Sequence, residues 1–185
     1  MITTCKKCLI STSNDFQPCN RSGDRGHILW IGEAPGTTEN RLKIPFTGKA
    51  GLKLKEFTGY YHLDQFSVFT NVIKCQPPRN RDPHTDEILK CKPYLLDDIN
   101  VVDPKLIILL GRIALESFKG TSIEIIKPFI NKPFVIAKTI VISIYHPSYI
   151  LRNDLDHLYF ESFNIISDVY NTINIYYRKR NFKKS

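Results

Sequence analysis

The segment 27–36, "HILWIGEAPG", is a short apolar run that passes into a loop rich in glycine and proline. An apolar run of this length, closed by glycine, predicts a buried strand. Gly32 and Gly36 permit unusual backbone angles, and Pro35 stiffens the turn between them. The acid of the loop, Glu33, is therefore held at the end of the strand, which is where α/β proteins place their sites.

Strands and helices alternate along the rest of the chain. The runs 66–75 and 103–111 predict further buried strands, and 133–147 predicts two strands joined at Lys138 and Thr139 or one bent strand. Helical spacing occurs at 48–61, where Leu52, Leu54 and Phe57 recur, and at 84–102, 112–118 and 154–179. This order predicts an α/β fold, with a mostly parallel sheet covered by helices on both faces.

Two residues of the helix predicted at 84–102 bear on where it begins and whether it is continuous. Thr85 is the candidate N-cap, since its hydroxyl can accept a hydrogen bond from a free backbone N–H. Pro93 lies inside the segment and is expected to be accommodated only with a kink or a break.

Length and composition favour a soluble globular protein. The 185 residues suit a single domain spanning 1–185, and the apolar fraction of 42% and charged fraction of 24% are ordinary. No apolar run reaches the roughly eighteen residues of a membrane span, so we expect no membrane association. Residues 1–10, "MITTCKKCLI", lack the apolar segment of a secretory signal, and the expected compartment is the cytoplasm.

The chain is basic, with a net charge of +8 and a pI of about 9.2. A basic domain of this size often binds a polyanion such as nucleic acid, although charge also serves solubility alone. Part of the excess lies in the tail 176–185, "YYRKRNFKKS", which is interpreted either as a phosphate-binding arm or as a solvated, flexible end.

Four of the five cysteines form two pairs. Cys5 and Cys8 are separated by two residues, so one tight turn can point both thiolates at the same ion. Cys75 and Cys91 are separated by fifteen residues, "QPPRNRDPHTDEILK", a proline-rich loop that passes into a helix. Four thiolates suit zinc or an iron–sulfur cluster, and the spacing does not choose between them. Cys19 has no matching partner.

Several side chains that could take part in catalysis or binding lie at predicted strand ends or in loops. The neutral imidazole of His146, held extended by the proline that follows, can donate a hydrogen bond to a developing anion. Phe46 can stack on a flat ligand, and the carboxamide of Asn71 can bind a base edge. With Glu33 as a general base or as a stabiliser of a cationic sugar, and Arg152 for phosphate, the set suits cleavage of the glycosidic bond of a flipped base.

At this point the chain resembles the family 4 uracil-DNA glycosylases, the iron–sulfur type, from Cys5 to about Asn153. Several ordered motifs with matching spacing make the resemblance specific. They are "CKKC" at 5–8, "GEAPG" at 32–36, "PFTGKAG" at 45–51, "TNVIKCQPP" at 70–78, the fifteen-residue gap before Cys91, "LIILLG" at 106–111 and "HPSYILR" at 146–152.

The resemblance implies a three-layer α/β/α fold with a central four-stranded parallel sheet. It implies monofunctional hydrolysis of uracil from DNA in base excision repair, and we expect the protein to be a monomer. Glu33 would position or activate water and stabilise the sugar cation, and His146 would stabilise the departing base anion. It also implies a structural 4Fe–4S cluster, on Cys5, Cys8, Cys75 and Cys91.

The resemblance further implies which residues contact the base and the DNA. Phe46 would stack on the base, and Asn71 would bond its pairing edge. The remaining contacts are the backbone of Gly32, Ala34 and Gly36 around the pocket, Ser148 on phosphate, Leu151 as a wedge, and Arg152 on the DNA backbone.

Two departures from the family pattern keep other hypotheses open. Asn40 stands where the family usually has the second of two acids, and the segment 121–138 lacks a common arginine–glycine motif. A pocket altered there could admit a different modified base, for instance in defence against phage with modified DNA. Besides excision of uracil or of another base, the chain could be an iron–sulfur DNA-binding module without catalysis. It could also be a plain zinc-binding protein.

Overall fold

The structure, a computed structural model, describes residues 2–12 and 18–182, with side chains to residue 176. Five strands lie within these ranges. They are β1 (Ile28–Gly32), β2 (Ser67–Asn71), β3 (Leu106–Leu110), β4 (Phe134–Ile136) and β5 (Thr139–Ile144).

Seven α-helices lie within the same ranges and connect or follow the strands. They are α1 (Leu9–Thr12), α2 (Thr37–Leu42), α3 (Lys49–Tyr60), α4 (Thr85–Val102), α5 (Arg112–Lys119), α6 (Pro147–Asn153) and α7 (Asp156–Phe182). Short 3₁₀ turns occur at Asp64–Phe66, Pro78–Asn80 and Lys127–Phe129.

The predicted α/β fold with a mostly parallel sheet is confirmed. The strand order is β2-β1-β3-β5-β4, and β1, β2, β3 and β5 pair in parallel. The sheet has five strands rather than four, because β4 pairs antiparallel with β5 at one edge. The segment 133–147 is thus two strands, and Ala137 takes a positive φ of 53° in the tight turn between them.

Alternate residues of the strands point to opposite faces of the sheet, and each face is covered by helices. On one face, Trp30 and Ile108 belong to a core cluster with Phe57 of α3 and Phe163 of α7. On the other face, the core cluster contains Leu29, Ile31 and Ile107, together with Leu95 of α4 and Leu115 of α5. The chain therefore folds as the expected three layers.

Details of the helices differ from the sequence-based expectations. Thr85 is the first residue of α4 rather than its N-cap, and His84 holds the cap position, where its N–H donates to the Glu87 carboxylate at 2.8 Å. α4 continues through Pro93, so of the two expected outcomes, a kink or a break, the break does not occur. Leu52 of α3 is exposed, whereas Gly51 beside it is buried.

The outer edge of β2 is covered by a loop rather than by another strand. Ser22 donates its N–H to the carbonyl of Phe69 and accepts the Phe69 N–H on its hydroxyl, both at 2.9 Å. These bonds replace the ladder that a neighbouring strand would supply, so the segment around Ser22 closes this side of the sheet.

None of the helices within the described ranges has both the length and the apolar character that crossing a bilayer requires. The basic tail is helical in backbone to Phe182, and its side chains from 177 onward, with residues 183–185, lie outside the described residues. The interpretation of the tail as a phosphate-binding arm or a flexible end therefore stays a prediction.

Candidate active site

A cleft of about 690 Å³ opens at the carboxyl ends of β1, β2 and β5. The loop after β1 forms one wall, the segment 46–51 leading into α3 forms another, and the start of α6 closes the third side. Predicted site residues that line it are Glu33, Ala34, Gly36, Phe46, Asn71, His146, Ser148 and Arg152.

Glu33 directly follows β1, in a protein environment that disfavours its negative charge. Burial, reinforced by the nearby negative charge of Asp82, raises the pKa of the Glu33 carboxyl to about 7, against the opposing effect of Arg112. Asp82 and Arg112 are themselves paired at 2.7 Å. The carboxyl group thus changes protonation state near neutral pH, which suits a proton-accepting role.

His146 caps α6 and is fixed in one ring orientation. Its Nδ1 accepts a hydrogen bond from the backbone N–H of Ser148 at 3.2 Å and lies 2.8 Å from the Ser148 hydroxyl. Burial, with Arg152 nearby, lowers the pKa of His146 to about 4. The imidazole is therefore neutral at pH 7 with Nδ1 as acceptor, which leaves the proton on Nε2 as a hydrogen-bond donor.

Phe46 reaches the cleft through an unusual backbone conformation. Its φ of 57° lies in the left-handed region, which is uncommon for a residue other than glycine. The ring is buried against Phe69, with centroids 5.5 Å apart, and a Cβ placed on Gly32 would lie 2.7 Å from the Phe46 Cζ. Glycine at position 32 therefore leaves room for the ring beside the strand end.

A buried carboxylate holds the loop that carries Phe46. Glu39 of α2 accepts the N–H groups of Thr47 at 3.0 Å and Gly48 at 2.7 Å on the same oxygen. These two amides precede α3, so the acid of α2 fixes the start of the next helix. Sequence analysis assigned Glu39 no role, although it lies beside Asn40 in the segment that departs from the family pattern.

Gly51 allows α3 to contact the backbone of Phe46. A Cβ at position 51 would lie 2.3 Å from the Phe46 carbonyl carbon. We expect Gly51→Ala to displace Phe46, to destabilise the protein by ~1–3 kcal/mol through overpacking, and to lower any base-dependent activity at least tenfold. Denaturant unfolding and single-turnover rates measure the two effects.

The matched control for this substitution lies in the same helix. A Cβ at Gly59 would meet no atom within 4 Å. Gly59→Ala should therefore stabilise α3 by ~0.5–1 kcal/mol and leave the rate unchanged. Equal effects of the two alanines would refute the proposed contact.

Asn71 is the last residue of β2 and is buried, with 4% of its surface exposed. A Cβ on Gly32 would lie 2.6 Å from Asn71 Oδ1, so the carboxamide and the Phe46 ring both lie beside the position that a side chain at residue 32 would occupy. Gly32 is the end of β1 and pairs with Asn71 in the parallel ladder. The sheet register thus sets the position of the carboxamide.

The segment "HPSYILR" folds as the start of α6. Ser148, Tyr149 and Arg152 line the cleft, and Tyr149 stacks on Tyr145 with ring centroids 5.1 Å apart. Leu151 lies on the same helix, does not line the cleft, and is 43% exposed. An exposed leucine beside a cleft is compatible with the predicted wedge, which stays a prediction.

The four paired cysteines come together in a cavity that is separate from the cleft. Cys5, Cys8, Cys75 and Cys91 line one cavity, between the N-terminal segment, the loop after β2 and α4. Two donors point at their sulfur atoms, since the Lys74 N–H donates to Cys91 Sγ at 3.3 Å and the Tyr94 hydroxyl to Cys5 Sγ at 3.6 Å. Such donors are typical of thiolates that ligate a metal or cluster.

Burial disfavours the charged form of two of these thiols. It raises the pKa of Cys75 to about 12 and that of Cys91 to about 11, and the neighbouring thiols add to the effect. In residues 2–12 and 18–182, no three cysteine, histidine or acidic side chains form a group that could hold a single metal ion. Cys19 is buried elsewhere and donates its N–H to the Lys74 carbonyl at 2.6 Å.

The cleft also contains residues that sequence analysis missed. Lys49, Asn80, Arg81 and Asp82 line it beside the predicted set. The last three belong to the segment between Cys75 and Cys91, which was interpreted only as a spacer. Its alternation of arginine, asparagine and aspartate after two prolines is the signal that could have placed it at the site.

Comparison with known proteins defines the class to which this fold and cleft belong. The model of the uracil DNA glycosylase superfamily matches residues 21–167, which span β1 to the middle of α7. The chain belongs to this superfamily.

Several individual relatives of the chain within the superfamily are type-4 uracil-DNA glycosylases. The chain is 34% identical to a type-4 uracil-DNA glycosylase of Archaeoglobus fulgidus over 178 residues, covering 91% of this chain and 89% of the relative. It is 37% identical to the type-4 uracil-DNA glycosylase of Sulfurisphaera tokodaii, covering 82% and 73% of the two chains. A type-4 enzyme of Thermotoga maritima is 37% identical over 71% and 69%.

Proposed function

We propose that this chain is a monofunctional uracil-DNA glycosylase of the type-4 group, which removes uracil from DNA and leaves an abasic site for base excision repair. The observation that carries the proposal is the convergence of Glu33, Phe46, Asn71 and His146 on one cleft. Relatives named for this activity cover most of the chain, which supports the same conclusion.

The reaction breaks the bond between C1′ of the deoxyribose and N1 of uracil, and the electron pair leaves with the base. Negative charge then develops on the uracil O2, where the neutral His146 donates its Nε2 proton in a hydrogen bond. Positive charge develops on the sugar, where the ionised Glu33 carboxylate stabilises it. Water adds to C1′, and Glu33 accepts its proton.

Binding of the flipped base is assigned to the two side chains that lie beside Gly32. The Phe46 ring provides a flat apolar surface for stacking, and the Asn71 carboxamide offers one donor and one acceptor to the pairing edge. Uracil presents a carbonyl oxygen and an N–H at that edge, which match an amide in one orientation. Gly32, Ala34 and Gly36 provide backbone close to the base, and Ser148, Leu151 and Arg152 are assigned to the DNA.

The two alternative functions are not favoured. The relatives that match the chain over most of its length are named as uracil-DNA glycosylases, and the catalytic acid and histidine lie in the same cleft as the base-binding residues. A binding module without catalysis does not explain why a carboxyl with a raised pKa faces this cleft, and the relatives' names favour uracil over a different base.

We assign a 4Fe–4S cluster to Cys5, Cys8, Cys75 and Cys91. The donor set fits the group, since four thiols line one cavity and N–H and O–H groups donate to two of them. The cluster would supply a covalent tie between the N-terminal segment and α4, and no electron transfer is required for hydrolysis. A visible absorption band in the purified protein tests the assignment, and a colourless, zinc-containing protein would overturn it.

The remaining assignments concern the state of the protein in the cell. We propose that the chain acts as one domain and as a monomer in the cytoplasm, on DNA and without a membrane. The cleft is bordered by Lys49, Arg81 and Arg152, whose charges suit a phosphate backbone.

The activity is tested with a labelled DNA strand that holds one uracil, incubated with the protein and then treated with alkali to cleave abasic sites. We expect a cut at the uracil position and none in a matched strand with thymine. Strands with other modified bases form a further arm. Absence of a uracil-dependent cut, from protein that carries its cluster, would overturn the proposal.

A further inference from the structure

A lysine is buried immediately before Cys75, with 2% of its surface exposed. Its ammonium donates hydrogen bonds to Asp98 Oδ2 at 2.6 Å, to Thr70 Oγ1 at 2.6 Å and to the main-chain carbonyl of Asn71 at 2.7 Å. Asp98 also accepts from the Thr70 hydroxyl and pairs with Arg21 at 2.9 Å. Lys74 is thus the donor at the centre of a buried polar cluster.

This cluster lies where β2 has no neighbouring strand. β2 is an edge strand, and the residues that face outward from the ladder are Phe69, bonded to Ser22, and Asn71, whose carbonyl is bonded to Lys74. The ammonium therefore takes the place of a strand N–H at the last residue of β2. A buried carbonyl left without a donor is unfavourable, so the strand end would shift to find another partner for it.

The next residues tie this strand end to the catalytic loop. Val72 donates its N–H to the Gly32 carbonyl at 2.9 Å, and Ile73 donates to the Glu33 carbonyl at 3.1 Å. Lys74 itself donates its N–H to Cys91 Sγ at 3.3 Å. Asn71 is consequently held on one side by β1 and on the other side by the Lys74 side chain.

We infer that Lys74, paired with Asp98, is a positioning residue for Asn71 and thereby sets the affinity of the pocket for the flipped base. The inference rests on the proposed function. No other side chain of the described residues donates to the Asn71 carbonyl, so the ammonium holds the carbonyl end of the peptide whose N–H end, that of Val72, is held by Gly32. A displaced Asn71 would weaken base binding without changing how the protein holds DNA.

The test separates base binding from DNA binding. Lys74→Met keeps the length of the side chain and removes its three donors, while Asp98 retains Arg21 as its partner. Inhibition of uracil release by free uracil reports the base pocket, and binding of a duplex with an abasic site reports the DNA surface. We expect the inhibition constant for uracil to rise at least tenfold and the abasic-DNA affinity to change less than twofold.

A double-mutant cycle shows whether the effect passes through Asn71. In an Asn71→Ala background, Lys74→Met should raise the uracil inhibition constant less than twofold, because the group that it positions is already absent. A rise of the same size in both backgrounds would overturn the inference. So would an unchanged inhibition constant in the single variant.

Lys53→Met is the matched control, because it also removes a lysine that pairs with a carboxylate at 2.6 Å, that of Asp156. We expect it to lower thermal stability and to leave the uracil inhibition constant unchanged. Visible absorption verifies that each variant retains its cluster.

If Lys74→Met does not fold, Thr70→Val removes one hydroxyl of the cluster and leaves its charges paired. It should raise the uracil inhibition constant about threefold, and no rise would overturn the inference. A wild-type protein that releases uracil but shows no effect of Lys74 contradicts the inference alone. A wild-type protein that neither releases nor binds uracil contradicts the proposed function as well.

Discussion

Replacement of His146 by leucine should lower the single-turnover rate of uracil release about 10²–10³-fold, the effect of losing one donor to a developing oxyanion. The structure gives the reason, because the Ser148 N–H occupies Nδ1 and so leaves the proton on Nε2. The low pKa of about 4 means that this donor is a neutral imidazole throughout the working range. The rate is measured with saturating enzyme, so that weaker DNA binding does not contribute.

Ser148→Ala provides the control for this prediction. It removes the hydroxyl that lies 2.8 Å from Nδ1 and retains the backbone N–H that fixes the ring. The chemical step should therefore change less than about threefold, even if DNA affinity falls. A rate for His146→Leu within tenfold of the wild type would contradict the role of the imidazole.

Replacement of Glu33 by glutamine should lower the rate about 10²–10⁴-fold, the contribution usual for a positioned general base. The wild-type rate should also depend on pH in a defined direction. Because the active form is the carboxylate and its pKa is about 7, the rate should rise about tenfold per pH unit below 7 and level off above it. Glu33→Gln should show no such rise between pH 5.5 and 8.5.

Asp82→Asn tests the cause of the raised pKa. The charge of Asp82 raises the pKa of Glu33, and its loss also releases Arg112, which lowers that pKa. The midpoint of the pH–rate profile should therefore move to lower pH. A midpoint that stays near 7 would show that burial, and not the charge of Asp82, sets the pKa of Glu33.

A rise in pH through the pKa of Glu33 should lower the stability of the fold, although it raises the rate. A pKa raised in the folded state favours the protonated form, so its stabilising contribution is present at low pH and is lost as the pH rises through about 7. Glu33→Gln should consequently unfold at a higher temperature than the wild type above pH 7, and the difference should vanish near pH 4.5. This result would also exclude misfolding as the reason for lost activity.

Local sequence signals predicted much of the fold because they depend on few residues. The apolar runs at 28–32 and 106–110, each closed by glycine, are buried as expected. β4 was foreseen only as one of two alternatives, because three partly exposed residues give little pattern. The sequence left a kink and a break at Pro93 as alternatives, and α4 continues because a surrounding helix of 18 residues outweighs one lost hydrogen bond.

The residues of the candidate site that lie at strand ends were predicted from motifs. Those whose positions depend on packing between distant parts of the chain were not. Glu33, Asn71 and His146 follow or close strands, so the parallel topology brings them together. The position of Asp82 depends on the path of a proline-rich loop, and no feature of the sequence marks Lys74 as a buried lysine. Its partner Asp98 is 24 residues away, and no local pattern links the two.

The two edges of the sheet bear on whether the protein aggregates in solution. β2 offers its outer carbonyls to Ser22 and Lys74, and β4 at the opposite edge has only three residues. An exposed, unpaired strand edge is a template for pairing with another chain. Since one edge is occupied and the other is short, this sheet gives little opportunity for intermolecular strand addition, which favours resistance to aggregation in a protein with a strongly apolar core.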